Sequence, residues 1–127
     1  MNARKKLALL AASGTLALGL AASVAPTAVA SATASSHGCP SGAVCIYPQN
    51  AGWNNDHPDP NNIFYSYGAH NLSNQEGQHY VYNNQTGGAT ARTCLGYNGV
   101  NCEGYLGAGY FIDKNLTPIN SIVLVRP

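Results

Sequence analysis

Four cysteines, Cys39, Cys45, Cys94 and Cys102, are the residues best placed by type and spacing to do chemistry, and they fall in two close pairs, CPSGAVC and CLGYNGVNC. Such pairs can oxidise to staples, hold a metal, or close a turn that a partner grips. Zinc sites use tight C-x-x-C spacings, whereas five and seven residues intervene here, so no metal site is expected. Pro40, Ser41 and Gly42 turn the chain inside the first pair, and Asn98 and Gly99 inside the second. Local bridges Cys39–Cys45 and Cys94–Cys102 are therefore favoured. Closure entropy does not choose among the three pairings, since it assigns roughly 2 to 3 kcal/mol to short loops and around 4 to long ones. Register favours the second bridge: a turn of Tyr97, Asn98 and Gly99, with Gly99 left-handed, sets Gly96 opposite Val100 and Cys94 opposite Cys102.

The four histidines are weaker candidates. His70, Glu76 and His79 could form a ligand or acid-base set, but no helix is expected to align them and Gly77 interrupts the run. His37 falls in an arm expected to be frayed, and His57 in the proline-bounded DHPDP loop. The motifs G-x-S-x-G, H-E-x-x-H and the phosphate-binding glycine loop are absent from the sequence, and no enzyme is expected.

The elements that position these residues follow from the rest of the chain. MNARKK, an uncharged apolar stretch and Ala28-Val29-Ala30 read as a secretory signal peptide over residues 1–30. Export fits an even cysteine count, because thiols oxidise outside the cell. Beyond the leader, Arg92, Lys114 and Arg126 stand against Asp56, Asp59, Glu76, Glu103 and Asp113, a balance of −2. Nucleic acid and anionic membranes need clustered cations and are excluded as partners. The 97 residues from Ser31 suffice for one domain, expected over 39–127 behind a flexible arm at 31–38.

Glycine, proline and asparagine recur too often for an amphipathic helix. Short runs rich in Tyr, Val, Ile and Phe predict strands at 43–47, 63–67, 79–82, 91–95, 100–103, 110–112 and 121–126. This spacing predicts an all-β, small antiparallel sandwich or barrel. In SIVLVR both faces are largely apolar, which predicts a strand buried on both sides until its end. Tyr80-Val81, Asn84, Thr86 and Thr90 recur 31 residues later as Phe111-Ile112, Asn115, Thr117 and Ser121, so two related strand-loop-strand halves are expected.

CPSGAVCIY behind the leader, VYNNQTGGATAR, CLGYNGVNC and the closing LTPINSIVLVRP resemble a family of small secreted actinobacterial peptidase inhibitors, the streptomycete metalloproteinase inhibitor type. The resemblance covers nearly all of the chain after the leader. It implies a βγ-crystallin-like fold, with two Greek-key motifs packed as a sandwich. It also implies a reactive bond beside a bridged cysteine, and the matching position is Cys94–Leu95. A loop stiffened by a bridge has lost its ordering entropy before it binds, which is what an inhibitor needs. The implied contact is Cys94, Leu95, Gly96, Tyr97 and Asn98, with Leu95 entering a thermolysin-like pocket of an extracellular protease.

No cofactor is expected. Crystallin-like motifs often hold calcium through N/D-N/D-x-x-S/T-S, but the aligned frames begin Gln85-Thr86 and Leu116-Thr117, without a carboxylate. Asn83, Asn84 and Asp113 lie near but out of register. Asn71, Asn84 and Asn115 begin N-x-S/T sequons, at which no glycan is expected. The alternative function is a monomeric module that binds cell-wall polysaccharide, with Trp53, Tyr65, Tyr67 and Tyr82 stacking on sugar rings, or a structural role.

Overall fold

The computed structural model describes residues 35–127. The signal peptide expected at 1–30 and the arm residues 31–34 lie outside the described residues. The strands are β1 (Ala43–Ile46), β2 (Ile63–Phe64), β3 (Gly68–Asn71), β4 (Gln78–Asn84), β5 (Thr90–Cys94), β6 (Phe111–Asn115) and β7 (Ser121–Val125). They form two antiparallel sheets, one in the order β2-β1-β4-β6 and the other β3-β7-β5. Among the described residues no helix is long and apolar enough to cross a membrane.

Side-chain alternation along each strand decides what the sheets cover. From the first sheet Val44, Ile46 and Val81, and from the second Ala91, Ile122 and Leu124, share one buried cluster with Leu72, Leu116 and Ile119. The residues between them, Cys45, Tyr47 and Tyr82, point to the other face of the first sheet, where Cys39 and Trp53 cover them. The left-handed residues other than glycine all lie outside the strands. Seven of the eight non-glycine residues with positive φ are Asn or Asp, the types that bear it best, so the turns fall where composition allows them.

Both local bridges are present, Cys39–Cys45 and Cys94–Cys102. They suit an oxidising, extracellular setting. The register expected from the Tyr97-Asn98-Gly99 turn holds: Gly96 N–H donates to Val100 O at 2.9 Å, Cys94 bridges Cys102, and Gly99 has φ 75°. The 31-residue echo corresponds to β4–β5 and β6–β7, each running from the first sheet through a loop to the second.

Two strand expectations need correction. Of 63–67 only Ile63–Phe64 is strand, and the chain re-enters a sheet at β3, whose GAHN lacks β-branched residues and pairs as an edge to β7. Residues 100–103 are not a strand, because Asn101 is left-handed and only Cys102 makes a bridge. β7 is buried at Ser121, Ile122 and Leu124 and half-buried at Val123, since the loop after β5 covers its outer side.

The arm is docked from Ser36 onward rather than frayed. His37 stacks on Trp53 at 3.8 Å and 7°, and its Nδ1 lies 3.0 Å from Asp56. Tyr47 donates its hydroxyl to His37 O at 2.6 Å. Burial first, then Tyr82 and Asp56, pushes the Tyr47 phenol above its ordinary range. The neutral donor is thereby favoured in the fold, and its contribution is complete below the ordinary tyrosine range and lost as pH rises through the raised value.

A strap, residues 102–106, runs along the outer edge of β5. Ala91 and Leu106 exchange both backbone bonds, at 3.0 and 2.8 Å, and Glu103 N–H donates to Thr93 O at 2.8 Å. Arg92 holds the strap from beneath, donating to Glu103 O at 2.8 Å and Cys102 O at 3.1 Å with its guanidinium 4.2 Å over the Tyr105 ring. Lys114 on β6 pairs with the Glu103 carboxylate, bridging the strap to the first sheet. The Lys114 hydrogen bond, helped by Thr93 and opposed by desolvation, holds Glu103 below its ordinary range. That contribution is present above the ordinary glutamate range and is lost as pH falls through the depressed value.

Candidate functional site

The loop from Cys94 to Cys102 has the backbone groups on both sides of its turn, at Leu95, Gly96, Asn98 and Gly99, engaged within the protein. Leu95 N–H donates to Asn101 O at 2.9 Å. Asn98 N–H donates to the Asn71 Oδ1 at 2.7 Å, and the Asn71 amide returns a bond to the Asn98 Oδ1 at 3.1 Å. Ser121 on β7 serves both sides of the turn, accepting from Gly99 N–H at 2.9 Å and donating to Gly96 O at 2.6 Å. Asn120 Nδ2 donates to Leu95 O at 2.8 Å. Gly99 is pressed so closely onto the second sheet that a Cβ there would meet Val123 at 2.9 Å and Ala69 at 3.3 Å.

The braced loop turns its large side chains outward. Leu95 is 43% exposed, Tyr97 56% and Val100 54%, while Cys94 is 0% exposed. The Cys94 carbonyl accepts from Asn120 N–H at 2.9 Å. The Cys94–Leu95 peptide is therefore the last pair of the β5–β7 ladder, and both its carbonyl and its N–H are already bonded. The loop offers side chains to a partner, whereas its backbone is spent on the protein itself. Of the residues expected to act together, Leu95, Tyr97 and Asn98 are exposed, and Gly96 is half-covered under Val100.

Across family models, curated proteins and solved structures, nothing matches this chain. What the site can do rests on its own geometry.

The histidines do not converge. His79 is buried, with Nδ1 2.6 Å from Tyr47 O and Nε2 2.9 Å from Glu76 O, so it meets the backbone of Glu76 rather than its carboxylate. His70 packs on Phe64 and reaches Ser66 O at 2.7 Å. His57 is exposed in its loop. Among the described residues no three His, Cys, Asp or Glu side chains gather as a cation site. The two calcium frames spend polar groups within the protein: Gln85 Nε2 donates to Thr90 O in its own loop at 3.0 Å, and the Thr117 hydroxyl accepts the N–H of Gly77, 40 residues away, at 2.9 Å.

The aromatic set expected to stack on sugars is divided. Trp53 is enclosed by His37, Tyr47, Tyr80, Tyr82 and Phe111, with ring centroids 3.8 to 5.3 Å away, and Tyr82 is buried. Tyr65 and Tyr67 are exposed, with Arg126 4.5 Å over the Tyr67 ring. A different polar feature lies beside the loop, a shallow bowl of about 360 Å³ in which Asn74, Gln75, Glu76 and Thr117 flank Tyr97. Its residues are scattered over 71–76, 97 and 117–120, so only the closed fold gathers them. The dense amides of NLSNQE are the one signal the sequence carries for it.

Proposed function

We propose that the chain is an exported, peptidase-inhibitor-like binding protein whose bridged loop enters the cleft of an extracellular protease, with metalloproteases the leading class. The observation that carries this reading is the outward exposure of Leu95, Tyr97 and Val100 on a loop whose backbone is bonded and covalently closed. Little ordering entropy remains to be lost when such a loop docks. Because the Cys94 carbonyl is engaged with Asn120, blockage comes from side chains filling substrate pockets and not from offering the Cys94–Leu95 bond for attack. The two strand-loop-strand units support a Greek-key, βγ-crystallin-like arrangement as the scaffold.

Titration of thermolysin-type and subtilisin-type proteases with the oxidised protein tests the reading. Saturable inhibition at micromolar protein is expected, weakened about tenfold or more by Leu95→Gly or Tyr97→Ala while the melting temperature is retained. Absence of inhibition of both classes rejects it. The amide-lined bowl beneath Tyr97 favours a second reading, recognition of cell-wall carbohydrate by amide hydrogen bonds and ring stacking. Retention on peptidoglycan or chitin that Tyr97→Ala abolishes, with no inhibition, would select it.

A further inference from the structure

Asn98-Gly99 is the only Asn-Gly step in the sequence, and Asn98 stands exposed at the tip of the bridged loop. An asparagine before glycine is the one most open to attack by its own main chain, because the next residue has no side chain to shield its nitrogen. In that reaction the Gly99 nitrogen bonds to the Asn98 Cγ, the side-chain amide leaves as ammonia, and a succinimide ring closes. Water then opens the ring at either carbonyl, giving aspartate or, with the main chain rerouted through Cβ, isoaspartate. Water is taken up and ammonia released, and no other reagent is needed.

The fold holds both reacting groups apart. Ring closure needs the Gly99 nitrogen on the Cβ side of Asn98, but at φ 60° and ψ 29° it lies on the opposite side of the Cα–C bond. The rotation that would bring it round takes the Gly99 N–H away from Ser121 Oγ, to which it donates at 2.9 Å. The side chain is held as well: Asn98 Oδ1 accepts from Asn71 Nδ2 at 3.1 Å, while Asn98 N–H donates to Asn71 Oδ1 at 2.7 Å.

We propose that Asn98-Gly99 is a conformation-gated modification site, an amide while the loop is seated on Asn71 and Ser121, and converted to aspartate and isoaspartate once the loop is released. The two products differ in consequence. Aspartate keeps an oxygen for Asn71 Nδ2, so the loop can reseat. Isoaspartate lengthens the main chain inside the turn that sets Gly96 against Val100, and the register is lost. The modification thus records that the loop has been open, and it stands whether or not the loop inhibits a protease.

The test is incubation of the oxidised protein at mildly alkaline pH beside the reduced, alkylated chain held unfolded in urea and the variants Asn71→Ala and Ser121→Ala. Mass spectrometry of the tryptic peptide 93–114 reads the conversion, and electron-transfer fragmentation separates isoaspartate from aspartate. Conversion at Asn98 is expected to run about tenfold or more faster in the unfolded chain, since the folded protein reacts only through the fraction of loops that are open. Each variant is expected to convert several-fold faster than the parent, with circular dichroism verifying its fold. Asn71 is exposed on the edge strand β3, so its variant keeps the test decisive should loss of the buried Ser121 hydroxyl unfold the domain. Equal rates in the folded and unfolded parent, folded variants no faster than the parent, or conversion centred on Asn101 instead of Asn98 would each overturn the proposal.

Discussion

Asn83→Ala is expected to lower the melting temperature by about 15 to 30 °C. Asn83 is on β4 and is 0% exposed. Its amide donates to Ala89 O at 3.0 Å and Leu106 O at 2.9 Å, while its Oδ1 accepts from Gln85 N–H and Gln85 Nε2, each at 3.0 Å. One side chain therefore joins the β4–β5 loop to the strap. Leu106 O keeps its bond from Ala91 N–H, and Gln85 Nε2 keeps Thr90 O, so truncation leaves chiefly the Ala89 carbonyl and the Gln85 N–H unpaired. Each unpaired buried group costs about 1 to 3 kcal/mol, and together they cost about 3 to 5. A domain of this size has about 5 to 10 kcal/mol in total, so the variant is close to unfolding. Thermal denaturation followed by circular dichroism measures it, and a shift under about 5 °C would show that the network is not holding the two segments.

Removing the loop bridge by the double substitution Cys94→Ala, Cys102→Ala is expected to cost about 2 to 3 kcal/mol, or roughly 10 to 20 °C in melting temperature. The loss arises mainly in the unfolded chain, which regains the freedom of the short loop. In the folded protein Asn71, Asn120 and Ser121 still hold the turn from outside. The expected signature is lower stability with little change in the chemical shifts of Gly96 and Gly99 below the melting transition. If those shifts collapse to unfolded values in the native state, the bridge alone is shaping the loop.

Where the sequence was legible, local chemistry and long-range packing agreed. The Asn98-Gly99 turn determines the register that sets Cys94 against Cys102, and neither residue needs a distant partner for that. β1, β4, β5 and β7 announce themselves through their content of Val, Ile, Tyr and Thr. β3 does not, because Gly68–Asn71 becomes strand only by pairing with β7 some 50 residues later. Residues 100–103 look like a strand until Asn101 takes the left-handed conformation.

The site was legible in its residues but not in their orientation. Cys94 and Leu95 are adjacent, yet one is sealed in the ladder and the other faces solvent, a division set by the Asn120 bonds from another part of the chain. Asn83 read as a polar turn residue near a calcium-type loop, and its role in the core depends on Leu106, 23 positions away. Trp53 read as a stacking platform, whereas docking of His37 covers it.

Amide hydrogen exchange at Leu95, Gly96, Asn98 and Gly99 in the native oxidised protein tests most directly whether the loop is ordered before it meets a partner. These four N–H groups donate to Asn101 O, Val100 O, Asn71 Oδ1 and Ser121 Oγ respectively, so protection approaching that of β5 and β7 is predicted. Exchange at the rate of an unstructured peptide, with β5 and β7 still protected, would contradict the account.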